Sequence, residues 1–137
     1  MSVHTHISLS EANQFLQRYA LGEVDALVGI PEGITNSIFL VTVAGKKYVL
    51  TIFEQVVVEA LPFYVDLMRY LDEHKFICPG IVCDIEGEVL HFIGDKPAML
   101  SEFLPGNTLT KINVGHSQQA GKTLALLHTM TEHFPQT

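Results

Sequence analysis

Two glycines and an asparagine punctuate Gly29-Ile-Pro-Glu-Gly33-Ile-Thr-Asn36-Ser-Ile-Phe39, which lies between two apolar stretches. Glycine lets a main chain approach a ligand closely, and successive backbone N–H groups in a turn can cradle phosphate oxygens. The same spacing also suits an ordinary hairpin, since it is neither G-x-G-x-x-G nor a Walker A loop. The next stretch, Lys47-Tyr-Val-Leu-Thr-Ile-Phe-Glu54, alternates as a buried strand does and has Thr51 near its centre. Ala120-Gly-Lys-Thr123 has the ending of a P-loop. The first glycine of that loop would fall at 116, which is His116, and no strand precedes it. His4-x-His6 could hold a metal, but two histidines near a chain end are more often just that, so no metal is expected there. His128 falls on the apolar side of the last helical stretch and is expected to pack there; no nucleophile and orienting carboxylate are suggested nearby. Cys78 and Cys83 flank Pro79-Gly80, and no further ligands stand at zinc spacing, so two reduced structural thiols are expected.

The composition narrows the classes. The 137 residues are enough for one domain with a core, and the apolar fraction of 47% is that of a globular protein. Eight Lys+Arg against 15 Asp+Glu give a formal charge of −7, with no basic cluster, which argues against nucleic acid as a partner. An acidic chain still binds ATP where backbone amides and Mg²⁺ handle the phosphates. No run reaches the ~18 apolar residues of a membrane-spanning helix, so no membrane partner is expected. Met1-Ser-Val-His-Thr-His6 has no basic start followed by an apolar run, so a cytoplasmic location is expected. A mean hydropathy of +0.27 goes with a well-buried core or with a surface that something else covers.

These residues need elements to position them. Ser8-Leu-Ser-Glu11 is a capping box that starts a helix over 9–20, ending near Gly22. Residues 24–29, 37–43 and 47–53 are short, β-branched and punctuated by Gly and Pro, with Ala44-Gly45-Lys46 as the turn between the last two. Residues 61–75 predict a helix, with Pro62 in its first turn. Its expected apolar stripe is Phe63, Leu67, Tyr70 and Leu71, widened by Tyr64 and Met68. Strands are expected at 81–85 and 88–93, joined at Glu86-Gly87, and again at 97–104. The last helix, 114–132, carries Ala120, Leu124, Leu127 and Met130 on one face. The βαβ alternation of a parallel sheet is absent. The fold class expected is therefore α+β, an antiparallel sheet with a packed helix.

The order of several motifs is more specific. The glycine hairpin ends in Asn36-Ser-Ile-Phe39, then come Tyr48-Val-Leu-Thr-Ile-Phe-Glu54, Leu61-Pro-Phe-Tyr64, Phe103-Leu-Pro-Gly106, Ala120-Gly121 and Leu127-His128. This order is similar to the small lobe of homoserine kinases in the aminoglycoside-phosphotransferase superfamily. Met1-Ser-Val-x-Thr5 and Tyr19-x-Leu-Gly22 also resemble theirs. Leu61-Pro-Phe-Tyr64 and Thr51, which stands where most relatives have Lys, are the discriminating pieces.

The resemblance implies a protein-kinase-like small lobe over 1–104, and over 105–137 the hinge exit and first linker helix of a large lobe. It implies phosphoryl transfer from ATP, with Mg²⁺, to the hydroxyl of L-homoserine, a step of threonine biosynthesis. It implies that Gly33, Ile34, Thr35, Asn36 and Ser37 cover the phosphates. It further implies that Val49 and Met99 wall the purine, with Thr51 in the place of the phosphate-gripping Lys. Ser101, Glu102 and Phe103 would form the hinge that meets the adenine edge. The His-Gly-Asp catalytic loop that such a kinase carries in its large lobe does not occur here, so no catalytic or metal-binding residue is assigned and the chain alone is expected to be inactive. Two alternatives stay open: the same lobe from a kinase acting on choline, an aminosugar or another amino alcohol, and a non-catalytic module that binds nucleotide or a partner. Pairing of two copies through 114–131 is also expected.

Overall fold

A computed structural model of the chain describes residues 5–31 and 35–135. Helix α1, Leu9–Leu16, opens with the expected capping box: the Ser8 hydroxyl accepts from Glu11 N–H, and the Glu11 carboxylate accepts from Ser8 N–H. The helix is shorter than its periodicity suggests. It tightens into a 3₁₀ turn at Gln17–Tyr19 and stops at Ala20, whose φ of 53° is left-handed. Tyr19 is buried all the same, so the apolar stripe continues across the change of helix type.

Strands β1 (Val24–Ile30), β2 (Asn36–Val43) and β3 (Lys46–Phe53) form the expected antiparallel meander. Ala44 and Gly45 both have positive φ, 49° and 79°, which matches the right-handed twist of a tight hairpin. Ala44 has no steric freedom of its own there, and Asp25 supports it by accepting its N–H at 2.8 Å.

Strand β6 (Lys96–Glu102) lies against β3, and its outer edge is shared by two short strands, β4 (Ile81–Val82) and β5 (His91–Ile93). The strands of 81–85 and 88–93 were expected as one hairpin. They are shorter, and each pairs with β6 rather than with the other. The cause lies at Asp84, whose carboxylate accepts the N–H groups of Glu86 and Glu88 at 2.8 and 2.9 Å and curls the connection into a turn. Among the described residues every pairing in the resulting six-stranded sheet is antiparallel.

The two faces of the sheet are treated differently. Side chains alternate across a strand, so β2 sends Ser37, Phe39, Val41 and Val43 one way and Asn36, Ile38, Leu40 and Thr42 the other. The first set joins Tyr48, Leu50, Ile52, Ala98 and Leu100 beneath Ala12, Phe15, Leu16 and Tyr19, and this is the main core. On the opposite face α2 (Leu61–Glu73) covers only one end, where Val65 and Met68 meet Met99, Val89 and Phe53.

The buried residues of α2 are Leu61, Val65 and Leu71. Phe63 and Tyr64, expected in the buried stripe, are 45% and 49% exposed. This helix is apolar on most of its circumference, so periodicity alone did not choose the side that meets the sheet. Phe63 and Tyr70 turn instead toward Phe134, with ring centroids 5.7 and 5.2 Å away.

Helix α3, Val114–Thr131, starts from Asn113, which forms a capping box with His116. It has no buried residue. Its C-terminal end is tied to α2 through Tyr70, whose hydroxyl donates to the Met130 carbonyl at 2.7 Å. Leu127 and Met130 are half-buried, while Ala120 and Leu124 of the same expected stripe are exposed. His128 is exposed too, against the expectation that it packs, as α3 has no buried residue to form a core around it.

Candidate functional site

The uncovered part of the second sheet face is where the expected site residues collect. The register places them in cross-strand rows. Val28, Leu40, Val49 and Ser101 form one row, and Ile30, Ile38, Thr51 and Met99 form the next. Residues directly opposite in such rows have Cβ atoms about 4.5–5.5 Å apart. Ile38, Leu40, Val49 and Thr51 are only half-buried, so this part of the rows presents a broad apolar floor with the Thr51 hydroxyl in it. Met99 is 7% exposed and belongs to the small core under α2, where it closes the inner end of the floor. A flat aromatic ring suits such a floor, because it buries apolar area on a face while leaving its polar edge free.

At the rim, Ser101 and Glu102 finish β6, and the chain leaves the sheet at Phe103. Gly80 packs against this rim. A Cβ added there would come within 3.1 Å of the Glu102 carboxylate, so a side chain at 80 would push Glu102 aside. Glu102 donates its N–H to the Gly80 carbonyl at 2.8 Å. That N–H is committed and is not free for a ligand edge at this rim. Phe103 is half-buried and lies 5.5 Å beneath the Lys47 ammonium.

At the other end of the rows stand Thr35 and Asn36. Gly33 and Ile34 lie outside the described residues. Ser37 is separated from the other expected site residues by the sheet itself: its side chain is on the α1 face and 4% exposed. The Ser37 hydroxyl donates to the Glu54 carboxylate and accepts the Thr5 N–H at 2.8 Å.

Glu54 is the residue that sequence reasoning missed. Its side chain is 8% exposed and forms an ion pair with Lys96. Burial opposes its ionisation, but the Lys96 ammonium, the Ser37 hydroxyl and donors from Thr5 outweigh burial and hold the carboxyl down at about 2. The only local sign was a carboxylate ending an apolar strand. Its cation is 42 residues away in sequence.

Among the described residues, no three His, Cys, Asp or Glu side chains converge to hold a metal ion. Cys78 and Cys83 are both free, the first half-buried and the second exposed. No described helix is long and apolar enough to cross a membrane.

Residues 26–137 match the model of a phosphotransferase enzyme family. The chain is 39% identical over 136 residues to a homoserine kinase of Phenylobacterium zucineum, a match that covers 98% of this chain and 42% of that protein. The chain thus spans about two fifths of the length of the curated relatives it matches. An aminoglycoside phosphotransferase from Alicyclobacillus acidocaldarius has a similar fold, with a TM-score of 0.75 at 19% identity, over 97% of this chain and 37% of that one. So has a spectinomycin phosphotransferase solved with ADP and spectinomycin, with a TM-score of 0.71 at 13% identity, over 92% and 39%.

Proposed function

Since the chain belongs to the phosphotransferase enzyme family, we propose that it is the nucleotide-binding part of an ATP-dependent kinase whose acceptor is the hydroxyl of L-homoserine. The likeness to homoserine kinases along nearly the whole chain carries this reading. The half-covered apolar face supports it, because it offers a purine a floor next to a rim of main chain. In this reading residues 1–104 are the small lobe, and residues 105–137 are the hinge exit and linker helix. Val49 and Met99 wall the purine, with Ile38 and Leu40 extending the floor. Thr51 offers a hydroxyl and no charge toward the phosphates, so in this reading residues 33–37 cover them through the main chain rather than through a lysine. Residues 101–103 form the hinge, where Glu102 N–H is taken, so other main-chain groups there meet the adenine edge.

Titration of the chain with Mg·ATP, followed by methyl and amide NMR, tests this. Saturable shifts are expected at Val49, Thr51 and Met99, with Leu16 and Leu50 on the opposite side unaffected. Shifts confined to the α1 side, or none at Val49 and Met99, would sink the assignment of this face.

The exposed side of α3 also has a consequence. Leu124 is 52% exposed, and Ala120, one turn before it on the same side, is exposed as well. Burying one Leu is worth ~1.5–3 kcal/mol, and Gly121 leaves room for a close neighbour. Pairing with a second copy relieves this exposure, so light scattering at micromolar concentration is expected to give a dimer or larger. Leu124→Glu is expected to return it to monomer. A wild-type monomer at that concentration counts against pairing.

A further inference from the structure

Four residues far apart in sequence meet at the end of the sheet where β2 begins. Thr5 belongs to the segment before α1, Ser37 to the start of β2, Glu54 follows β3, and Lys96 opens β6. The Glu54 carboxylate is their centre. One oxygen accepts from the Ser37 hydroxyl and from Thr5 N–H at 2.9 Å, and the other pairs with Lys96. Lys96 also donates to the Thr5 hydroxyl at 2.7 Å. All of this lies on the α1 face, so Lys96 does not substitute for a phosphate-gripping lysine on the open face. The neighbours of Ser37 do reach that face: Asn36 and Ile38 stand at the end of its rows, opposite Phe53 and Thr51.

We propose that Glu54 is a positioning residue that, by holding the Ser37 hydroxyl from behind the sheet, fixes the backbone of Asn36 and Ile38 on the nucleotide face. This deepens the reading of that face given above and rests on it for its ligand. A buried charge tied to two donors and a cation tolerates little movement, because each lost partner leaves a polar group without water or bond. The pair at the end of β2 and β3 is the last in its ladder, with Asn36 opposite Phe53. Strand ends fray unless something ties them, and the Glu54 cluster supplies the tie.

The test compares wild type with Glu54→Gln, Lys96→Arg and Ser37→Ala in the full 137-residue chain, using amide NMR without ligand and then titration with ADP. In Glu54→Gln the amides of Asn36, Ser37 and Ile38 are expected to shift and exchange faster, while those of Leu16 and Leu100 stay. ADP affinity is expected to fall roughly tenfold. Lys96→Arg keeps the charge pair and should behave as wild type in both readouts. Ser37→Ala cuts the tie but leaves the ion pair, so it decides the matter if Glu54→Gln does not fold. Unchanged signals at Asn36 and Ile38 in the folded variant overturn the proposal, as does unchanged ADP affinity beside a lowered thermal midpoint, the mark of a purely stabilising cluster. If wild type fails to bind ADP, the nucleotide reading falls, and the ligand-free amide signals still decide whether Glu54 positions the strand.

Discussion

Leu100→Ala is expected to cost ~2–5 kcal/mol of unfolding free energy, the range for emptying a fully packed leucine site. Leu100 has no exposed surface and lies in the cluster with Leu50, Ile52 and Val41 beneath Leu16 of α1. Its strand, β6, is bonded to β3 on one side and to β4 and β5 on the other, so the backbone there has little freedom to close the cavity. Set against the roughly 5–15 kcal/mol of a typical domain, this loss takes much of the total. Ile38→Ala, on the half-covered face, removes contacts that water already shares and should cost less than half as much. Urea unfolding of the two variants measures the contrast. Equal losses would mean that the two faces are equally packed, and the open face would lose its standing as a ligand floor.

The second large effect is on turnover. Alone, the 137-residue chain is expected to release no ADP in response to homoserine. Phosphoryl transfer relies on groups that orient the hydroxyl and on metal ions that neutralise the charge developing on the transferred group. The sequence contains no His-Gly-Asp, and among the described residues no acidic or histidine cluster could hold a metal. Loss of a single well-placed electrostatic donor in an enzyme commonly costs about 10²–10³ in rate. A coupled assay for ADP with and without homoserine measures this. Homoserine-dependent release above a no-protein control would show that the chain holds a catalytic constellation of its own. Binding of ATP without turnover is the result that fits the reading of the open face.

Local chemistry was enough to determine several elements. The Ser8–Glu11 capping box started α1 where it was expected, because both partners lie within one turn. The Ala44-Gly45 turn and the alternation of β2 and β3 set their hairpin, since a short loop fixes register and period two fixes which residues share a face. The motif order pointed to the family. What the sequence could not decide was which face each set would meet. The resemblance grouped Ser37 with the phosphate-covering hairpin, and its parity along β2 sends its hydroxyl beneath the sheet. That parity shows only once the sheet's buried face is known. In α2, apolar residues at 61, 63, 64, 65, 67, 68, 70 and 71 offered more than one stripe; Val65 and Met68 are the ones that meet Met99 and Val89, with Leu61 and Leu71 buried as well. Residues 81–93 carried strand signals that suited a hairpin, but the free outer edge of β6 took both pieces. Glu54 became legible only when folding brought Lys96, Ser37 and Thr5 around it, because a buried carboxylate is defined by partners that the chain order keeps apart.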